Sequence, residues 1–256
     1  MLMAADIGNT QTVLGVFEGD ELRASWRMAT EPHRSADEIG ATCASLLGLR
    51  GMRFEEVEAL IVSSDVPPLI RSYNNLAKNL LGIPFYSVSS EMKTGLSNRY
   101  DDPRAVGSDR IVNAVATGNH HGFPAIIVDF GTATTVCAVD GEASYRGGAI
   151  LPGIYVSLDA LVSKAAKLEN VDLEVGAPKA IATNTPDSIR SGFIYGYAGA
   201  IDALIRRFRE ELGAEGLRAV ATGGPAPAIV RHCREIGTLD ADLTLKGLRV
   251  LYEMNS

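Results

Sequence analysis

The sequence predicts an α/β protein of two similar halves, each a mixed sheet flanked by helices, with a cleft between them. Three observations support this fold class. The segments 6–16 and 129–139 repeat one strand, turn and strand pattern. Their spacing is roughly half of the 256 residues, which predicts domains at 1–118 and 119–256. The order of short strands and amphipathic helices around the first copy recurs around the second.

The repeated segment has the features of a phosphate-binding turn. Both copies align without a gap: an Asp ends an apolar strand, a Gly follows two residues later, and Thr-Val occupies the sixth and seventh positions after the Asp. Gly lets backbone N–H groups approach an oxyanion, Thr hydroxyls add donors, and Asp can hold a cation. Either Asp alone is as readily explained as a turn former, so the match between the copies carries the functional interpretation.

The first half begins with strands predicted to residue 7, at about 12–17 and at about 21–28. A capping box from Ser35 to Glu38 opens an amphipathic helix that runs through residue 47. A buried strand is predicted at 57–62, Pro67-Pro68 starts another helix, Gly82 ends it, and a strand follows at 84–88.

The second half repeats this order, with strands predicted at 125–128, 134–139 and 144–150. A later strand at 217–221 leads to Thr222-Gly-Gly224, and helices are predicted near 226–235 and 244–253. The glycine turns at 147–153 and 222–224 could bring backbone close to a nucleotide. A bulge and a simple strand-to-helix turn are the alternative interpretations.

The segment Gly107-Ser-Asp-Arg110 opens a helix predicted at 111–117. A helix N-terminus attracts anions, and an Asp in a first turn usually compensates the helix dipole. Here the carboxylate and its neighbouring cation lie at the junction between the halves, which suits a site that activates a hydroxyl group.

The net charge of −7 and a pI near 5.2 argue against a surface that binds nucleic acid, because no Lys/Arg cluster offers a stripe for phosphates. No apolar run approaches the ~20 residues that span a bilayer, and the N-terminus lacks signal-peptide features. We therefore expect a cytoplasmic protein with no nucleic-acid or membrane partner.

Several motifs together resemble one family, the type III pantothenate kinases. This family belongs to the acetate kinase, sugar kinase, Hsp70 and actin superfamily, whose members have two tandem ribonuclease-H-like (actin-like ATPase) domains. The motifs stand in the family's order at 6–10, 107–110, 129–133, 147–153, 184–185, 222–224 and 243–248. The match runs nearly end to end. Two positions depart from the family's usual residues, Ser108 in place of alanine and Asp65 in place of a hydrophobic residue.

The resemblance implies roles for individual residues. Asp109 would be the catalytic base, and Asp129 would hold a monovalent cation, K⁺ or NH₄⁺. Arg110 could pair with the pantothenate carboxylate or with the transferring phosphate. The implied ATP-binding residues are Asp6, Ile7, Gly8, Asn9, Thr10, Gln11, Thr12, Val13 and Thr132, and the implied pantothenate-binding residues are Tyr100, Gly107, Ser108, Asp109, Arg110 and Thr185.

The implied activity is Mg²⁺- and ATP-dependent phosphorylation of the primary hydroxyl of pantothenate to 4'-phosphopantothenate, the first step of coenzyme A synthesis. A phosphohydrolase and a non-catalytic regulatory factor share this architecture and remain alternatives. The resemblance also implies a homodimer. Gly192, Gly196 and Ala200 form a stripe of small residues that lets another helix approach closely, either within its own domain or across a two-fold interface that would bring Thr185 near the partner's substrate site.

Overall fold

A computed structural model describes residues 1–64, 66–165, 168–177 and 179–256, so Asp65 lies outside the described residues. The strands are β1 (Leu2–Ile7), β2 (Gln11–Glu18), β3 (Glu21–Ala29), β4 (Ala59–Ser64), β5 (Phe85–Ser87), β6 (Ser97–Asn98), β7 (Ala125–Phe130), β8 (Ala133–Val139), β9 (Ser144–Pro152), β10 (Ala219–Thr222) and β11 (Ile236–Leu239). The α-helices are α1 (Ala36–Gly48), α2 (Pro67–Asn75), α3 (Ser108–His120), α4 (Ile154–Lys164), α5 (Thr185–Leu212), α6 (Ala226–Val230) and α7 (Leu243–Asn255).

The chain forms two compact units. Unit 1 comprises Met1–Gly95, Asp101–Asn119 and Leu243–Ser256, and unit 2 comprises Leu96–Tyr100 and His120–Asp242. This grouping differs from a simple division after residue 118, because the last helix of the chain belongs to unit 1. The division into domains at that point and the cleft between the halves stay predictions.

The sheet of unit 1 has the strand order β3-β2-β1-β4-β5. The central strand β1 is antiparallel to β2 and parallel to β4, so the sheet is mixed as predicted. Residues 2–5 of β1 are all buried, which is why this strand reads as an uninterrupted apolar run. Asp6, near its end, pairs with Val13 on one side and Ser63 on the other.

The sheet of unit 2 has the order β11-β10-β7-β8-β9-β6. Its central strand β7 is antiparallel to β8 and parallel to β10, and the order β9-β8-β7-β10-β11 repeats that of unit 1. The predicted internal repeat is therefore confirmed at the level of sheet topology. The structure adds β6, a short strand parallel to β9 at the sheet edge.

The helices follow the local signals in the sequence. Ser35 and Glu38 form the predicted capping box, and α1 buries Ile39, Cys43 and Leu47 on one face at helical spacing. Helix α2 begins at Pro67 and continues as a π-helix to Leu81, and Gly82 ends it with φ of 66°. In the described residues, no helix is long and apolar enough to cross a membrane. The cytoplasmic location stays a prediction.

Helix α7 completes unit 1. It buries Leu245, Leu248 and Leu251, and a Cβ added at Gly15 of β2 would lie 2.7 Å from the Leu245 side chain. A Cβ added at Gly247 would lie 2.3 Å from the carbonyl oxygen of Val112 in α3. Glycine at both positions therefore allows the helix to approach the rest of the unit closely.

Two elements of the second half differ from the prediction. The helix predicted near 226–235 ends at Val230, and the chain then forms β11, which the sequence did not predict. Only Ile236 of β11 is buried, and its other residues are exposed. An edge strand of this kind lacks the apolar alternation by which strands are recognised.

Candidate active site

The first predicted phosphate turn connects β1 to β2. Asp6 is half-buried at the end of β1, whereas Asn9, Thr10 and Gln11 are exposed in the turn. The Gly8 N–H donates to the Gln11 carbonyl oxygen at 3.0 Å and closes the turn. Ile7 and Thr12 are buried, so their side chains support the turn from inside. The exposed part of the turn therefore comprises residues 9–11.

A threonine at the end of β3 holds this turn in place. The Thr30 N–H donates to the Thr10 carbonyl oxygen at 2.9 Å, and the Thr30 hydroxyl donates to the Gly8 carbonyl oxygen at 2.7 Å. The Thr30 and Thr12 hydroxyl oxygens are 2.9 Å apart. Contacts from Thr30 to two carbonyl oxygens, together with the bond from the Gly8 N–H to the Gln11 carbonyl oxygen, therefore fix the turn.

The second turn, between β7 and β8, is one residue shorter than the first. The Gly131 N–H donates to the carbonyl oxygen of Ala133, and Asp129 pairs with Thr135, whereas Asp6 pairs with Val13. The structural equivalent of Thr12 is consequently Thr134. The ungapped alignment of the two copies is thus wrong at the turn, where the structures match only when one residue of the first turn is skipped.

The shorter second turn is accompanied by a glycine, Gly153, at the position that contacts it. The Gly153 N–H donates to the Thr132 carbonyl oxygen at 2.9 Å, in the place that Thr30 takes in unit 1. A Cβ at Gly153 would lie 2.4 Å from the carbonyl oxygens of Gly131 and Thr132, so a threonine cannot occur there. Within the described residues, the buried Thr134 hydroxyl has no hydrogen-bond partner.

Another glycine lies against Asp129. Gly223 follows β10, has φ of 100°, and a Cβ there would lie 2.7 Å from Asp129 Oδ1 and 2.3 Å from the Phe130 carbonyl oxygen. The 222–224 turn therefore contacts the second phosphate turn through its backbone. Glycine is required at positions 153 and 223 because the backbone of neighbouring segments lies too close for a side chain. This favours the interpretation that the segments carrying these two glycines are parts of one loop cluster in unit 2.

The second chemical motif, 107–110, lies beside the first phosphate turn. Ser108 begins α3, and its hydroxyl oxygen is 2.8 Å from that of Ser63. Ser63 pairs with Asp6 in the parallel β1–β4 ladder, so their side chains lie on the same face of the sheet. Unit 1 thus brings together Asp6, Ser63, Ser108 and the adjacent Asp109.

The first turn of α3 fixes Asp109 and Arg110. The Arg110 N–H donates to Asp109 Oδ1 at 2.8 Å, and Asp109 is half-buried. Arg110 is only 6% exposed. One turn further, the Thr244 hydroxyl of α7 donates to Asn113 Oδ1 at 2.8 Å. Helix α7 therefore supports the helix that presents Asp109.

Unit 2 holds the remaining predicted pantothenate residues at two places. Tyr100 is half-buried, and a Cβ at Gly147 would lie 3.5 Å from its ring, so the absence of a side chain at Gly147 leaves room for that ring. Thr185 is exposed at the start of α5.

A small polar network orders the start of α5. The Asp187 N–H donates to Asn184 Oδ1 at 2.9 Å, and Asn184 Nδ2 and Arg190 Nη1 both donate to the Asp187 carboxylate at 2.8 Å. The Asn184 hydrogen bond and then the Arg190 guanidinium lower the pKa of Asp187. The network fixes the helix turn that carries Thr185.

No group of three or more His, Cys, Asp or Glu side chains arranged for a metal ion occurs in the part of the chain that the structure describes. The oxygens near Asp129 are instead one carboxylate and the carbonyl groups of the second turn. Oxygen donors suit hard cations such as K⁺ and Mg²⁺, and a monovalent ion does not need a cluster of charged ligands.

Two mixed sheets of the same order, each with an Asp-x-Gly turn after its central strand, define a duplicated α/β fold. Solved structures share this fold. A Baf family protein described as a transcriptional activator, from Campylobacter jejuni, matches with a TM-score of 0.61 at 16% identity, covering 98% of this chain and 97% of that one. The activator of 2-hydroxyisocaproyl-CoA dehydratase from Clostridium difficile, solved with bound ADPNP, matches with a TM-score of 0.50 at 14% identity over 98% and 93%.

Sequence comparison narrows this fold to one family. The family model of type III pantothenate kinase matches residues 2–207. A type III pantothenate kinase from Rubrobacter xylanophilus is 68% identical over 260 aligned positions, covering 100% of this chain and 98% of the relative. The chain therefore belongs to the type III pantothenate kinase family, as its motifs indicated.

Some contributors to the site were not predicted. Ser63 was noticed only as part of a strand end, and Thr30 was not singled out. For Ser63 the sequence does hold a signal, because a polar residue ends the apolar run that becomes β4. Its partner in α3 depends on tertiary packing and could not be read from the sequence.

Proposed function

We propose that this protein transfers the terminal phosphoryl group of ATP to the primary hydroxyl of pantothenate, giving 4'-phosphopantothenate for coenzyme A synthesis. Membership of the family supports this activity. The structural observation that carries it is the arrangement in unit 1, where Ser63 pairs with Asp6 and contacts the residue before Asp109. A nucleotide turn and a candidate base are thus held by one rigid sheet and helix.

Asp109 orients the pantothenate hydroxyl and accepts its proton. Phosphoryl transfer passes through a loose transition state, so the proton leaves late and an ordinary carboxylate is a sufficient base. Alignment supplies most of the acceleration in such a reaction. The Arg110 N–H bond to Asp109 Oδ1 restricts the carboxylate to one orientation at the start of α3.

The nucleotide is bound through the two Asp-x-Gly turns. In unit 1 the exposed residues 9–11 would contact the phosphates, and in unit 2 Thr132 is exposed in the equivalent turn. ATP-dependent kinases of this kind use a divalent metal ion with the nucleotide, here Mg²⁺, which offsets the charge of the phosphates. Asp6 and Asp129 are the carboxylates placed to interact with the metal–nucleotide complex.

Asp129 also holds a monovalent cation in our proposal, K⁺ or NH₄⁺, with carbonyl oxygens of the second turn as further ligands. The positive charge would weaken repulsion among the phosphates. Activity in K⁺ or NH₄⁺ should greatly exceed that in Na⁺ at equal ionic strength, and Asp129→Ala should reduce this preference together with ATP affinity. Equal rates of the wild type in all three salts would contradict the assignment.

In this proposal, pantothenate is bound by Tyr100, Gly107, Ser108, Asp109, Arg110 and Thr185. The buried Arg110 guanidinium would add positive charge toward the pantothenate carboxylate or the transferring phosphate. Thr185 would act near the substrate site of a partner subunit in a homodimer.

A coupled assay of ADP release, run with and without pantothenate, tests the activity. We expect ADP release to depend on pantothenate and the phosphorylated product to appear in equal amount. Release of ADP without pantothenate would indicate a phosphohydrolase. No release under either condition, with ATP still bound, would indicate a non-catalytic regulatory protein.

A further inference from the structure

The contact between Ser63 and Ser108 links two parts of unit 1 that carry the proposed chemistry. Ser63 is the residue before the last of β4 and is 1% exposed, whereas Ser108 is half-buried as the first residue of α3. Their hydroxyl oxygens are 2.8 Å apart, and either hydroxyl can be the donor. A buried hydroxyl that loses its partner is costly to keep, so this bond constrains both backbones.

The bond defines the position of α3 relative to the sheet at one point. Ser63 is fixed laterally because Asp6, on β1, is its partner in the parallel ladder. Ser108 directly precedes Asp109, and the Asp109 carboxylate is in turn held by the Arg110 N–H. A displacement of Ser108 would therefore move Asp109 relative to the first phosphate turn, and small displacements of a reacting group lower turnover strongly.

We propose that Ser63 is a positioning residue that fixes the Asp109 carboxylate through its hydrogen bond to Ser108. This inference rests on the proposed function, since it assumes that Asp109 acts on the substrate hydroxyl. Ser63 does not itself need to touch the substrate. Its contribution should appear in the rate of phosphoryl transfer and not in the binding of ATP.

Kinetics of three variants provide the test, Ser63→Ala, Ser108→Ala and the double variant. Each single variant should lower kcat by about fivefold or more while KM for ATP changes by less than about twofold. Because both changes remove the same bond, the double variant should be no slower than the slower single variant. Ser45→Ala is the matched control, because Ser45 is an exposed serine of α1 whose hydroxyl also makes one hydrogen bond, to the Ala41 carbonyl oxygen.

Deuterium exchange gives a second readout that does not need activity. In Ser63→Ala, the peptide covering the first turn of α3 should exchange faster than in the wild type and in Ser45→Ala. Unchanged exchange together with kcat within about twofold of wild type would overturn the proposal, as would losses that multiply in the double variant. If the wild type fails to phosphorylate pantothenate, the proposed function is wrong, and the exchange comparison still decides whether the bond anchors α3.

Discussion

The carboxylate of Asp109 is the residue on which the proposed chemistry depends most. Asp109→Asn keeps the side-chain shape and its ability to accept the Arg110 N–H at 2.8 Å, but removes the negative charge and basicity. Turnover of pantothenate should fall by about 10²-fold or more, with ATP binding retained. Steady-state kinetics and a nucleotide titration check both parts. Turnover close to that of the wild type would remove Asp109 from the role of base.

Gly223 offers a test of the close contacts around Asp129. An alanine there would have φ of 100° and a Cβ 2.3 Å from the Phe130 carbonyl oxygen. We expect Gly223→Ala to reduce the free energy of unfolding by about 2–4 kcal/mol and to weaken ATP binding. Gly216→Ala is the control, since its φ is 79° but a Cβ there meets no described residue within 4 Å.

The control variant should lose only the cost of positive φ, about 1 kcal/mol, with ATP affinity unchanged. Urea denaturation and nucleotide titration of both variants make the comparison. An equal loss in free energy of unfolding for the two variants would mean that the backbone around Asp129 can move to accommodate a side chain at position 223. Glycine would then not be required there.

Among the elements, the two hairpins show how far the sequence could predict this fold. The strands on both sides of each turn were predicted because apolar runs and β-branched residues mark them. The lengths of the turns were not predicted correctly, because an ungapped alignment gives Asn9 a counterpart that the second turn does not have. Each turn is instead matched by a long-range contact from the residue that follows another strand, Thr30 after β3 for the first turn and Gly153 after β9 for the second.

The same distinction applies to the candidate site. Motif spacing placed Asp6, Asp109 and Asp129 at strand ends and a helix start, where the structure has them. The Ser63–Ser108 bond joins residues 45 positions apart, and no local pattern in the sequence indicates it. Long-range side-chain contacts of this kind arise from packing, which the periodicity of a sequence does not determine.

The start of α5 should respond to acid. The pKa of Asp187 is lowered by the Asn184 side chain and then by Arg190. A folded pKa below the unfolded value near 3.9 means that the ionised carboxylate stabilises the fold above that pH and loses this effect as the pH falls through the folded pKa. The free energy of unfolding of Asp187→Asn should therefore lie below that of wild type at pH 5.

The difference in free energy of unfolding between wild type and Asp187→Asn should shrink as the pH falls from 5 toward 2.5. Urea denaturation at a series of pH values in this range measures it. Asp159→Asn, which removes one exposed carboxylate of α4, is the control and should track the wild type throughout. A difference for Asp187→Asn that stays constant from pH 5 to 2.5 would contradict the assigned network.

At the scale of the whole molecule, assembly is the property to test. Gly192, Gly196 and Ala200 are exposed on α5, and a Cβ at either glycine meets nothing within 4 Å among the described residues. Within that part of the chain the two glycines are not used for packing inside unit 2, which leaves the stripe available to a second copy. Light scattering of the wild type should give about twice the chain mass of 27.2 kDa.

Gly196→Leu should give monomers with weakened use of pantothenate, because leucine would keep the two helices apart. Gly48→Leu in α1 is the control and should remain dimeric, since a Cβ there also meets nothing within 4 Å in the part of the chain that the structure describes. A wild-type monomer with full activity would rule out the shared substrate site.

The position of α7 has a consequence for synthesis of the chain on the ribosome. Unit 1 receives its last helix only after all of residues 120–242 have been made, because α7 follows unit 2 in the chain and packs against β2 and α3. Residues 120–242 of unit 2 can emerge and fold before α7 has been made. Until then, one apolar face of the unit 1 sheet stays uncovered. During translation the apolar face that α7 covers is thus exposed until residues 243–255 have been made, and exposed apolar surface of this kind is prone to aggregation.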